Sequence, residues 1–161
     1  MVNKIRVRMA DLKVGRDDGI IITSGLGSCV GLTLYDSNSK VGGMAHIMLP
    51  EFPVGKKNAK LAKYADTAIE TLIKKLRDKG ANTKNLEAKM AGGAQMFNFS
   101  NIDNRIRIGD RNIEATKEIL KSLKIPLINS EVGKNYGRTM ELHLNSGDVL
   151  IKTVKYDDIV I

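Results

Sequence analysis

The chain has 161 residues, of which 42% are hydrophobic and 27% charged, enough to bury one core and too polar for a membrane-embedded protein. No apolar run approaches the roughly 20 residues of a membrane span, and Met1–Arg6 alternates charge with aliphatics instead of building a signal-peptide core, so membrane insertion is not expected. A net charge of +8 raises nucleic-acid binding, but aromatics are only 4% and tryptophan is absent, so no nucleic-acid partner is expected. A lysine-rich solvated surface, or attraction to an acidic protein partner, fits the charge better. With one cysteine no internal disulfide can form, and a cytoplasmic location is the expectation.

In chain order, Ile5, Val7 and Met9 alternate with Arg6 and Arg8 as in a half-buried strand. Gly19–Thr23, Cys29–Tyr35 and Val41–Leu49 read as further strands. Pro50, Pro53 and Gly55 break the pattern into a loop that carries Lys56, Lys57, Lys60 and Lys63. Two helices follow. The first runs from about Lys60 to Lys79, with an apolar stripe from Leu61 through Tyr64, Ala65, Ala68, Ile69, Leu72 and Ile73 to Leu76, and Gly80 closing it. The second starts near Asp110 and ends before Pro126, with Ile113, Thr116, Ile119, Leu120 and Leu123 on one face. Between them, Leu86–Ala91 alternates like a strand and runs into Gly92-Gly93. Met140, Leu142 and Leu144 alternate with Glu141, His143 and Asn145, and Ser146-Gly147 turns the chain into Val149–Val154. Without linker or repeat, residues 1–161 read as a single α+β domain. It is a layered sandwich of mixed, largely antiparallel sheets and two main helices, the hairpins arguing against a purely parallel sheet.

The most informative residue is Cys29, which follows the turn Gly25-Leu26-Gly27-Ser28. Folding 29–49 as a hairpin around Asp36-Ser37-Asn38-Ser39 sets Tyr35 against Lys40 and Cys29 directly opposite His46. A one-residue slip would put them on opposite faces. A thiol and an imidazole in one pocket are the minimum equipment for cysteine-based acyl transfer. Gly25 and Gly27 permit positive φ and close backbone approach, so amides near Gly27, Ser28 and Cys29 are candidate oxyanion donors. A lone cysteine in an apolar segment is usually a small buried hydrophobe; the cross-strand histidine is what lifts Cys29 above that. His143 reads as a solvated strand position, and two histidines so placed suggest no metal site, so neither metal nor cofactor is expected.

At these residues the sequence resembles the CheD family of chemoreceptor glutamine deamidases. The stretches that carry the resemblance are Thr23–Val30 and Gly43–Pro50, then Lys63–Ala68, Ala91–Phe97 and Ile108–Asn112; together they cover most of the chain, from about Asp11 to Val154. Ser24 departs from the apolar residue expected there in some relatives. The resemblance implies papain-like chemistry on an α/β-sandwich similar to the catalytic domain of cytotoxic necrotizing factor toxins. It implies Cys29 as nucleophile, with a depressed thiol pKa, His46 as general base and acid, and Thr23 as the third polar member. It also implies a receptor-helix glutamine as substrate and CheC, a phosphatase, as partner. The thiol–imidazole pair alone fits a cysteine amidase on another substrate equally well, and a non-catalytic adaptor that binds CheC and receptors is a further alternative.

Overall fold

A computed structural model describes residues 2–96 and 107–161; Phe97, at the end of one family-like stretch, lies outside them. The strands are β1 (Lys4–Arg6), β2 (Leu12–Arg16), β3 (Ile20–Leu26), β4 (Val30–Asp36), β5 (Val41–Ile47), β6 (Glu87–Gly92), β7 (Leu127–Val132), β8 (Arg138–His143), β9 (Val149–Lys152) and β10 (Ile159–Val160). The helices are α1 (Ala65–Asp78) and α2 (Ile108–Ser122). One sheet has the order β1-β3-β8-β9-β10, the other β2-β5-β4-β6-β7. Only β1–β3 and β6–β7 pair in parallel. This is the α+β sandwich the sequence pattern predicts.

The layers run sheet, sheet, helices. Leu32 and Leu34 of β4 and Ala45 and Ile47 of β5 join Ile69, Leu72 and Leu76 of α1 and Leu120 of α2 in one apolar core. The alternate side of the same sheet meets the other sheet, where Met44 and Tyr35 pack with Ile21, Met140 and Leu142. Every residue of β4 and β5 is therefore buried, because both faces are covered. Small residues allow the sheets to approach: a Cβ added at Gly31 would lie 2.7 Å from the Met140 sulfur.

Several elements differ from the sequence reading. The β4–β5 ladder pairs Gly31, not Cys29, with His46, and Asp36, not a loop residue, with Val41. The cause is local. Asp36 ends its strand and uses its carboxylate to accept from the Asn38 amide (3.0 Å) and the Ser39 hydroxyl (2.8 Å), which moves the turn to Ser37–Lys40 with Lys40 at φ 54°. The displacement is two residues, so side-chain parity survives. Cys29 itself stands just outside β4. The first helix begins at Ala65, not Lys60, because Leu61–Lys63 is a 3₁₀ turn and Tyr64 is extended. β1 stops at Arg6; Val7 is buried but Met9 is exposed. Strands β2, β7 and β10 have no counterpart in the sequence reading.

Candidate functional site

The site is assembled at one end of the seam between the sheets. On β5 the residues Val41, Ala45 and Ile47 face the helices, so His46 faces the opposite sheet. There it meets Thr23 of β3: the Thr23 hydroxyl lies 2.7 Å from His46 Nδ1, with both residues fully buried. Just beyond Thr23 the pairing of β3 with β8 slips, from Thr23↔Met140 to Leu26↔Arg138. This bulge separates the strand from the turn that leads to Cys29, a common use of bulges beside functional groups.

The hydrogen bonds fix the imidazole tautomer. Thr23 Oγ1 also donates to the Val7 carbonyl at 2.8 Å. A carbonyl can only accept and a hydroxyl has one proton, so the Thr23 oxygen must accept from His46. Nδ1 therefore carries the ring proton and Nε2 carries the lone pair. Nε2 is buried with no hydrogen-bond partner. The ring is held further through its backbone, the His46 amide donating to the Asp11 carbonyl (3.0 Å) and the His46 carbonyl accepting from the Ala10 amide (3.1 Å). A proton acceptor is thus held rigidly with its basic nitrogen vacant.

Cys29 lies on the same side of the sheet, two positions along from the residue that pairs with His46. It packs in the inter-sheet core and is 8% exposed. Diagonal neighbours of this kind are about 7–8 Å apart at the backbone, a gap that side-chain rotation can close. The resting thiol does not occupy Nε2. Burial pushes the Cys29 thiol above its ordinary range and pushes the His46 imidazole below its own. The expectation of a depressed thiol pKa is thereby corrected. In a desolvated seam with no hydrogen bond joining them, the neutral thiol and neutral imidazole are favoured over the ion pair.

The turn before Cys29 is anchored from behind. The Gly27 carbonyl accepts from the Ala94 amide (2.9 Å) and the Cys29 carbonyl from the Gly93 amide (2.8 Å). Between them, the Ser28 carbonyl accepts from Asn112 Nδ2 of α2 at 3.0 Å. Among the described residues no peptide bond is cis, so each N–H there points opposite to the carbonyl of its own peptide unit. With the Gly27 and Ser28 carbonyls turned inward, the amides of Ser28 and Cys29 face away from the anchors. Neither has a backbone acceptor among the described residues. Two adjacent amides turned away from these anchors beside a thiol suit an oxyanion. Gly25 takes φ +70°, but Gly27 does not adopt positive φ; it lies under Met96, whose Cγ would be 3.2 Å from an added Cβ.

Gly92 and Gly93 complete the cradle. At φ +103° Gly92 runs so close to the Cys29 carbonyl that any Cβ would collide with it. Arg138 is fully buried, pairs with Glu131 and stacks 4.5 Å from the Tyr136 ring centre. Burial pushes the Glu131 carboxyl up, but hydrogen bonds from Arg138 and Tyr136 outweigh it and hold the carboxyl below its ordinary range. Asp66 anchors the loop after β5, its carboxylate accepting from the Phe52 amide at 3.0 Å.

Of the residues the sequence reading singles out, the structure unites Thr23 and His46 directly and sets Cys29, Ser28 and Gly27 in the adjoining turn. His143 stays apart on β8, about one-third exposed, with Nε2 3.5 Å from Glu141. Among the described residues no three His, Cys, Asp or Glu side chains converge as a metal would require. Asn112 was missed as a site residue. Its signal is a polar residue at a core position of an amphipathic helix, where Gly109, Asn112, Ile113, Thr116 and Leu120 form the buried stripe.

A sandwich with a thiol, a tautomer-fixed imidazole and a glycine-bearing turn at one end of its seam has the layout a cysteine-dependent hydrolase needs. Comparison with known sequences is more particular. The family model described as "CheD chemotactic sensory transduction" matches residues 48–153. The chain is 50% identical over 154 residues to the "Probable chemoreceptor glutamine deamidase CheD" of Lachnoclostridium phytofermentans, covering 96% of each chain. It is 50% identical over 155 residues to the "Chemoreceptor glutamine deamidase CheD" of Halalkalibacterium halodurans, again covering 96% of each. This chain belongs to the CheD family. The family-model match begins after Cys29 and His46, so the case for those residues rests on the geometry above.

Proposed function

We propose that this protein is a chemoreceptor glutamine deamidase that converts receptor glutamine side chains to glutamate with release of ammonia. The observation that carries the proposal is the Val7–Thr23–His46 chain of hydrogen bonds, which leaves a basic, unpartnered Nε2 on the sheet face that also carries Cys29. The near-full-length similarity to deamidases supplies the substrate class.

In this reading His46 Nε2 takes the Cys29 proton as the sulfur attacks the glutamine Cδ. The carbonyl electron pair moves to oxygen, which the amides of Ser28 and Cys29 receive. Imidazolium then protonates the departing nitrogen, the C–N bond breaks and ammonia leaves a thioester. Neutral His46 next draws a proton from water; the hydroxyl adds to the acyl carbon, the C–S bond breaks and the thiol is restored. The net reaction consumes one water and yields glutamate and ammonia. Thr23 stays neutral throughout and steadies the ring through Nδ1. The proposal has the whole chain act as one cytoplasmic domain on the cytoplasmic helices of receptors, with CheC as a binding partner. Among the described residues no helix is long and apolar enough to cross a membrane.

Intact-mass analysis of a glutamine-containing receptor fragment tests the proposal. Wild type should add about one mass unit per modified site and Cys29→Ala none. Equal conversion by Cys29→Ala would overturn it.

A further inference from the structure

We infer that Asn112 is a positioning residue that locks the Ser28–Cys29 peptide so that the Cys29 amide is presented to the oxyanion. The inference rests on the reading of Cys29 as nucleophile and goes beyond it, since Asn112 donates to the backbone carbonyls of Ser28 and Met48 and not to the thiol or the imidazole.

The geometry is unusual in how much one amide nitrogen does. Asn112 Nδ2 donates to the Ser28 carbonyl at 3.0 Å and to the Met48 carbonyl at 2.9 Å. Ser28 immediately precedes the nucleophile, and Met48 lies two residues beyond His46. Both protons of one side-chain nitrogen therefore tie together the two segments that carry the thiol and the base. Two carbonyl acceptors on the same nitrogen also fix which end of the amide is which. Asn112 Oδ1 is left buried with no partner.

The consequence falls on one peptide unit. Its carbonyl is the acceptor that Asn112 holds, and its N–H is the Cys29 amide on the opposite edge. The flanking carbonyls of Gly27 and Cys29 are held by the backbone amides of Ala94 and Gly93, which no side-chain substitution removes. The Ser28 carbonyl depends on a side chain. The helix that presents this side chain is seated for the purpose: a Cβ at Gly109, one turn earlier, would lie 2.6 Å from the carbonyl oxygens of both Gly93 and Ala94.

Alkylation and deamidation separate this role from simple stabilisation. Iodoacetamide reacts with the Cys29 sulfur by displacement at a saturated carbon, where no oxyanion forms, whereas deamidation passes through one. With the full-length protein and a glutamine-containing receptor fragment, Asn112→Ala should lower kcat about 10²-fold, the usual effect of losing one oxyanion donor. KM and the rate of Cys29 alkylation should stay within about threefold of wild type. A kcat within about threefold of wild type, or alkylation and deamidation falling in parallel, would overturn the inference. If Asn112→Ala does not fold, Asn112→Ser is read by the same two rates, and failure of both to fold assigns Asn112 to stability and equally overturns it. Cys29→Ala is run in the same series. Deamidation surviving there would refute the nucleophile itself, whatever Asn112 does.

Discussion

The two faces of the central β2-β5-β4-β6-β7 sheet are equally buried and differently made. Toward the helices, the packing is aliphatic, with Leu32, Leu34, Ala45, Ile47, Ile69 and Leu72 filling it. Toward the other sheet, the packing admits Thr23, His46, Cys29 and Tyr35, each buried. The polar groups there are satisfied mainly by backbone carbonyls: Tyr35 donates to Leu144 at 2.7 Å and Thr23 to Val7 at 2.8 Å. His46 Nε2 is left on this face without a hydrogen-bond partner. The difference teaches how the molecule divides its labour. One face supplies cohesion, and the other holds chemistry in a rigid, nearly dry setting made affordable by the first.

The comparison can be broken from either side. Leu72→Ala, in the aliphatic layer, should cost about 2–5 kcal/mol of stability, seen as a lower denaturation midpoint. The folded fraction should keep the wild-type kcat, since no group of the site moves. A kcat loss at full folding would show that the layers are not independent. Thr23→Val, on the opposite face, should keep the shape while removing the ring's partner. We expect kcat to fall about 10–100-fold, as when the group orienting an imidazole is lost, with Thr23→Ser close to wild type. The buried Val7 carbonyl left unpaired should lower stability by about 1–3 kcal/mol.

pH sharpens the same contrast. Because burial lowers the His46 pKa, the base stays neutral below the ordinary 6.5, and the acid limb of kcat/KM should lie beneath that value. Because burial raises the Cys29 pKa, the alkaline limb should lie above 9.0. A thiolate–imidazolium pair would instead alkylate nearly as fast at about pH 5 as at about pH 8, and that result would refute the neutral resting pair. Stability follows the same sign. The unfolded chain takes up the histidine proton first, so this contribution is present above 6.5 and is lost as pH falls through and below it. The smallest effect concerns a helix end far from the seam. Lys124 closes α2 at φ 57°, with the Ile125 amide on the Leu120 carbonyl at 3.0 Å. Lys124→Gly should raise stability by about 1 kcal/mol without touching kcat.

How much of this could be read in the sequence follows from which interactions are local. β3 and β8 alternate because one face of each meets the other sheet, β4 and β5 read as near-continuous apolar runs because both of their faces are covered, and the helical stripe of α1 is clear because one side of it packs on the sheet. The Cys29–His46 relation was legible only as parity. A period-2 pattern cannot tell a register from one displaced by two, and here the Asp36 side chain made the choice. Edge strands left weaker traces. β7, as Leu127–Val132, is largely solvent-facing and carries Asn, Ser and Glu; β2 is five residues long and contains Gly15. The anchoring of Ser28 by Asn112 joins residues 84 apart in sequence, and no local pattern reports such a bond.

The turn before Cys29 stands where all three layers meet. Leu26 belongs to one sheet, Val30 to the other, and the Ser28 carbonyl hangs from a helix. Reactivity is thus a property of the finished molecule alone. If Cys29 is the nucleophile proposed, a nascent or half-assembled chain carries the same sulfur without the frame that aims it, and cleavage of amides waits until the last layer docks.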